Sequence, residues 1–294
     1  MLLIVLISFK GYSQLRGDLF SFNYTLAPVG NDDLEYYKTD FKVNLPIKLR
    51  KGILLNSVGL DYYQLRYTNA TINTEDLDQF YKINYGLKYI YPINHKWSLA
   101  GQAGTSISSN LTGTLTSEDF NFRGSISAVK RGGTFEKPSR VMFGLNYSAI
   151  LGKPRILPFL SYAKKVSDKF SYGIGFPNTY SEFTINNRSS FKGSVWLNGF
   201  YSNLSNPVNV SMTTAANKAS FTAISLGLDY NYKMDEMWVL TFKVGYSLHN
   251  EYELLDDNDN AVYNFDLGTK PYFSMGVKIN LKNKFKNKYK NDKQ

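Results

Sequence analysis

The sequence predicts an all-β fold, an antiparallel transmembrane β-barrel of about 14 strands, with 12 as the alternative count. Three observations carry that expectation. Apolar and polar residues alternate with period 2 along most of the chain, which places them on opposite faces of strands. The polar positions carry Lys, Asn, Gly and Asp, the residues of a watery interior. No later stretch approaches the length of a membrane-spanning helix, although Tyr and Phe number 23 and 20 in 294 residues.

The first residues read as an export signal. Leu2–Phe9 is mostly apolar and too short to cross a bilayer as a helix. Gly11 and Ser13 are small residues at the positions a signal peptidase requires before Gln14. A signal peptide over 1–13 follows, with a buried first strand as the alternative. No basic residue precedes the apolar run, which points to a start farther upstream. The barrel is expected over 14–281 and a Lys-rich periplasmic tail over 282–294. A soluble, lipocalin-like barrel is the rival at the level of fold.

Five segments show the alternation most strongly. In 37–49, Phe41, Val43, Leu45, Ile47 and Leu49 alternate with Asp40, Lys42, Asn44, Pro46 and Lys48. In 81–93 every odd position is apolar or aromatic, with Lys82, Asn84, Gly86 and Lys88 between them. Segments 224–232, 238–248 and 272–281 repeat the pattern; a helix would scatter these residues around its circumference. Weaker strands are expected at 18–28, 53–67, 97–109, 119–130, 140–151, 155–165, 169–176, 179–187 and 190–201. The last strand, 272–281, is expected to close the barrel against 18–28.

Connections alternate in length, as in barrels with short periplasmic turns and long outer loops. Residues 50–52, 94–96, 166–168 and 234–236 look like tight turns, and 69–79, 202–218 and 249–269 like outer loops. The 131–139 connection departs from this, being long on the periplasmic side. Trp97 and Trp238 each follow a tight turn, where an interfacial aromatic girdle belongs.

Composition excludes several functions. With no Cys there is no disulfide framework, thiolate metal site or Cys nucleophile. Mean hydropathy is −0.31, which suits a membrane protein only if half of each strand meets water. Nothing calls for a cofactor. Of two histidines, His95 falls in a turn, while His249 lies near Ser247, Asp256, Asp257 and Asp259 at a loop mouth. A hydrolase using His249 is the weak catalytic alternative; a solvated loop histidine is the plain one. Asp256, Asn258 and Asn260 match the opening of a calcium loop, but Ala261 and Leu267 stand where that loop needs Gly and Glu. No metal site is expected.

The net charge is +10. Part of it is the Lys-rich tail, which either attracts anionic lipid headgroups or is a disordered solubilising segment. The rest falls on the inward face: Lys42, Lys48, Lys82, Lys88, Arg123, Lys192, Lys243 and Lys278, against Asp40, Asp61 and Asp229. Such fixed cations favour anions in a pore, and a lumen plugged by salt bridges has the same composition. Eight strands leave a filled lumen and 16 to 18 leave an aqueous channel, so 14 leaves both readings open.

The segment Ser274-x-Gly276-x-x-Ile279-x-Leu281 resembles the C-terminal β-signal of Gram-negative outer-membrane barrels, which implies recognition by the barrel-assembly machinery. The usual terminal aromatic is replaced by further chain. Ile156–Tyr162, Asp168–Tyr172 and Gly175–Pro177 resemble a family of uncharacterised outer-membrane β-barrel proteins. Neither resemblance implies an activity. The expected address is the outer membrane, with lipid and lipopolysaccharide as surroundings and no nucleic acid. The expected function is a narrow, passive, mildly anion-preferring channel for small solutes whose identity the sequence leaves open. The alternative is a non-conducting structural or partner-binding barrel acting through its outer loops.

Overall fold

The computed structural model describes residues 18–28, 34–68 and 70–280. The expected signal peptide, Leu281 and the Lys-rich tail lie outside the described residues. Strands β1 (Asp18–Ala27), β2 (Leu34–Lys48), β3 (Ile53–Tyr67), β4 (Gln79–Pro92), β5 (Trp97–Ser109), β6 (Phe120–Gly133), β7 (Pro138–Ser148) and β8 (Arg155–Lys165) follow one another as antiparallel neighbours. They continue through β9 (Phe170–Gly175), β10 (Asn178–Thr184), β11 (Ser189–Asn209), β12 (Ala215–Lys233) and β13 (Trp238–Leu255). Strand β15 (Lys270–Asn280) joins β13 to β1 and closes the ring at 14 strands. The short β14 (Ala261–Phe265) lies outside the ring and pairs with the end of β13. Each of the 14 expected segments corresponds to one ring strand.

Closure follows from the chemistry of the outward face. Leu45, Val58, Leu145, Ile156, Leu160, Ile174, Val244, Phe273 and Met275 all project outward and are exposed, Met275 at 56%. Such a belt has no place in water, and in hydrocarbon an unpaired sheet edge is untenable, so the ladder must return on itself.

One end of the barrel is built from tight turns held by their own side chains. Asn94 accepts the backbone N–H groups of Lys96 and Trp97, each at 2.9 Å. Asn186 does the same for Arg188 and Ser189, and Asp235 for Met237 and Trp238. These are the side-chain turns that Asn, Asp and Ser form readily. The two N–H groups on Asp235, from Trp238 and Met237, hold its carboxyl below the usual carboxylate range. The β6–β7 connection also belongs to this set, correcting the expected long one. Arg131, Gly132 and Gly133 pair with Arg140, Ser139 and Pro138, so only 134–137 turn. The Lys-Arg-Gly-Gly run reads as loop, yet Gly133 supplies the φ of +77° with which the strand ends.

The opposite end departs further from expectation. Segments 202–218 and 249–269 are largely strand, because β11, β12 and β13 continue far past the other strands. Their outer halves fold across the mouth. Asn203 of β11 pairs in parallel with Ser109 of β5, nearly opposite in the ring. The Ser108 and Ser202 hydroxyls meet at 2.7 Å, Asn110 accepts the Ser205 N–H at 2.9 Å, and Asn121 donates to the Tyr201 carbonyl at 3.1 Å.

Beneath this crossing the lumen is apolar. Phe200 stands at its centre, with ring centroids 4.8 Å from Tyr63, 5.3 Å from Phe80 and 5.6 Å from Phe221. Tyr252, Leu34, Leu65, Leu204, Ala219 and Ala223 complete the layer. On the other face of the crossing, the β7–β8 connection packs against β11 and β12. A Cβ on Gly152 would lie 2.4 Å from the Ser220 hydroxyl, and one on Gly199 would lie 2.7 Å from the Ile150 carbonyl. Both positions therefore require glycine for close approach.

Truncating Phe200 to Ala should cost about 3–5 kcal/mol, the range for a buried aromatic removed without collapse of its site. Denaturant titration of the detergent-folded protein checks this. A loss below about 1 kcal/mol would mean that the aromatic layer is not packed as described.

Candidate functional site

The candidate site is the interior below the aromatic layer. The layer itself contains a void of about 10 Å³ between Leu34, Tyr36, Tyr63, Leu65, Phe200, Phe221 and Tyr252, about the room of a single water. Under it lies a polar cavity of about 320 Å³ framed by β1, β2, β11, β12, β13 and β15. Its walls include Asn23, Lys38, Asp40, Asp229, Lys243 and Lys278, with Trp196 and Tyr272 at its upper side. Cβ atoms on Gly227 and Gly245 would lie 2.3 and 2.2 Å from the Tyr272 hydroxyl oxygen. The absence of side chains there lets Tyr272 lean across to donate to the Leu226 carbonyl at 3.2 Å and meet Trp196 edge to face.

Strand register places the predicted cations on the inward parity, next to apolar residues that project outward. They form groups from strands distant in sequence. In one, Asp229 is flanked in register by Lys192 and Lys243. Lys243 Nζ lies 3.4 Å from Asp229 and 4.2 Å over the Trp196 ring, and Lys278 donates to Asn231 at 3.1 Å. Lys192 sits over the Tyr180 ring at 5.2 Å. Glu182 of β10 stands opposite Lys192 in register, so this group holds three cations and two carboxylates.

In a second group, Asp61 lies 3.5 Å from Lys38 and opposite Lys82, with Arg123 as a further electrostatic neighbour. Asn84 donates to Asp61 at 3.2 Å, and Asn23 donates to Asp40 at 2.9 Å. Lys38 and Asp40 carry much of this arrangement, and in the sequence Lys38 is marked only by its place in the alternation. Nearer the tight-turn end, Lys42, Lys88 and Arg140 face one another, and Arg131 donates to the Ser98 hydroxyl at 2.7 Å. Lys48 sits at the exposed rim. Of the assembly-signal positions, Ser274, Gly276 and Ile279 lie in β15, where Gly276 gives Asn23 room: a Cβ would fall 2.1 Å from its Oδ1.

Among the described residues, His249 is not brought into a hydrogen-bonded pair with its expected partners. Its side chain is exposed, whereas Ser247 is buried and donates to Asn250 at 2.5 Å. No hydrogen bond joins His249 to Ser247, Asp256, Asp257 or Asp259 among the described residues. Asp256 serves the β13–β14 turn by accepting the N–H groups of Asn258 and Asn260 at 2.9 and 2.8 Å. Among the described residues, no group of three or more His, Cys, Asp or Glu side chains could hold a metal ion.

A latch fastens the mouth. Asp119, in the β5–β6 connection, accepts hydrogen bonds from the Thr116 N–H at 2.6 Å and from Asn203 of the crossing at 3.0 Å. Burial pushes this carboxyl up, but the hydrogen bonds from Thr116, Asn203 and Ser109 outweigh it and hold the carboxyl below the usual carboxylate range. A depressed folded-state pKa gives stability above the unfolded value of about 3.9 and loses it as pH falls through the folded value. Hydrogen exchange in 110–119 and 200–205 should therefore accelerate on acidification below about pH 4. Asp119→Asn should remove most of that acid dependence; an unchanged acid response would assign it elsewhere.

The chain can be compared with solved structures. A NanC porin shows 10% identity and a TM-score of 0.43, covering 89% of this chain and 100% of that one. An outer membrane channel from Pseudomonas putida F1 shows 9% identity and a TM-score of 0.44, covering 88% and 93%. LpxR from Salmonella typhimurium shows 7% identity and a TM-score of 0.40, covering 88% and 99%. At these values the likenesses carry no conclusion about activity. No curated protein matches the chain. A family model matches residues 29–280, nearly all of the barrel, and the chain accordingly belongs to the family described as Domain of unknown function (DUF6268).

Proposed function

We propose that this protein is an integral outer-membrane barrel acting as a narrow channel for small anionic solutes, closed at its outer mouth in the conformation described. The observation that supports this is the excess of inward cations over inward carboxylates inside a barrel whose outward face is apolar. In this orientation the tight turns face the periplasm and the β11–β13 crossing faces outward, matching the usual loop asymmetry. Fixed cations in a narrow, low-dielectric passage raise the local anion concentration and exclude cations. Lys82, Arg123, Lys192, Lys243 and Lys278 are the filter candidates, with Lys42, Lys48 and Lys88 nearer the periplasmic rim.

A second reading is favoured by one observation. The mouth is crossed by paired strands packed on aromatics rather than by a loop, as a permanently non-conducting, partner-binding barrel would have it. Planar-bilayer recording of the refolded protein separates the two. Under the channel reading, openings are rare in the wild type, and Phe200→Ala with Phe221→Ala makes them frequent. Lys82→Glu with Lys243→Glu should move the reversal potential in a salt gradient from anion towards cation preference. Silence from the loosened mouth would support the non-conducting reading, and openings with unchanged selectivity would sink the filter.

A further inference from the structure

Two orphaned polar atoms lie on the wall formed by β4, β5 and β6. Arg123 Nε is buried and has no hydrogen-bond partner among the described residues. Its guanidinium lies flat on two glycines: Cβ atoms on Gly86 and Gly104 would sit 3.3 Å from Nη2 and 3.2 Å from Nε. Side chains at either position would push the fork off the wall. Two residues before Gly86 on the same face, Asn84 leaves its Oδ1 buried and unpartnered. The amide orientation is forced, because its nitrogen donates to two pure acceptors, the Asp61 carboxylate and the Lys82 carbonyl, each at 3.2 Å. Lys82 adds a second cation, and Asp61, already engaged by Lys38 and Asn84, is the nearest carboxylate.

A buried guanidinium nitrogen and a buried amide oxygen, both without partners on one wall, call for a ligand that supplies both counterparts. An anion with oxygens alone would satisfy Arg123 and leave Asn84 facing a lone pair. Hydrogen phosphate carries both functions in one group: its charged oxygens accept from the guanidinium and from Lys82, and its P–OH donates to Asn84. We propose that Arg123, Lys82 and Asn84 form a binding subsite for inorganic phosphate in the lumen. The proposal rests on the reading of the interior as a water-accessible, anion-favouring space, and it deepens that reading by naming the anion.

Isothermal titration of the full chain, folded in detergent, with inorganic phosphate near neutral pH tests this without requiring conduction. Saturable binding is expected, weakened about tenfold or more in Arg123→Gln, as loss of a charge-assisted fork implies. Arg123→Lys keeps the charge and loses the fork, so it should weaken binding by a smaller factor while reporting on a protein with an unchanged interior charge. Sulfate has the same shape and charge but no proton to donate, and should bind about fivefold or more weakly. No saturable binding, equal affinity for sulfate, or affinity unchanged in Arg123→Gln overturns the subsite. The bilayer selectivity measurement is independent of these outcomes: anion preference without phosphate binding removes the subsite alone, whereas phosphate binding without anion-selective openings removes the channel alone.

Discussion

Everything in this molecule depends on the closed hydrogen-bonded ladder. A sheet in hydrocarbon cannot leave an edge unpaired, so β15 must meet β1, and that meeting fixes every register behind it. Because side chains alternate strictly, a slip of one residue anywhere would exchange the lipid and lumen faces of a strand. At Lys82 and Ile83 the slip would put an ammonium into lipid, which costs about 2–4 kcal/mol at the bilayer midplane. The inward cations are thus part of what specifies the register, quite apart from any solute they handle.

The ring is regular at one end and asymmetric at the other. Strands β11 to β13 are far longer than β9 and β10, and their excess length has no lipid to face. It bends across the mouth instead, burying Phe200 and Phe221 against Tyr63 and Phe80 while Ser220 and Thr222 meet the β7–β8 connection. The aromatic layer excludes water above the polar cavity, and the glycines at 227 and 245 let Tyr272 reach over the cavity beneath it. Closure at the mouth and polarity below it are therefore two results of the same strand extension.

The ring strands were legible because one face met lipid and the other water, the condition under which alternation is clearest. It fails where both faces meet protein. In 202–218 the sequence is rich in Asn, Ser and Ala, which pack closely across a crossing but read as loop without that context. The β6–β7 turn was hidden in the same way by two glycines inside paired strand. For the lumen, which residues point inward was legible from parity alone. The groups they form were not: Asp61 draws its neighbours from β2, β4 and β6, and only the curvature of the ring brings those side chains together. The apposition of Arg123 on Gly86 and Gly104 left no sequence signal, since each glycine alone looks like a weak strand residue.

The inward charges also bear on two uses of a charged lumen. Cations serving only as staples would be matched by carboxylates, as Lys218 and Asp259 are at the mouth, 3.1 Å apart. In the interior, Asp229 lies in register between Lys192 and Lys243, Lys192 has Glu182 as its other cross-strand neighbour, and among the described residues Lys88 has the cations Lys42 and Arg140 as its charged neighbours. Fixed charge left over in a confined aqueous space must be neutralised by mobile ions of opposite sign, over distances set by a Debye length of about 8 Å at physiological salt. In a lumen narrower than a few such lengths, the charge that its carboxylates leave unmatched favours anions. The crossing of β11 closes the mouth above that space, and the wall below it carries the unmatched charge.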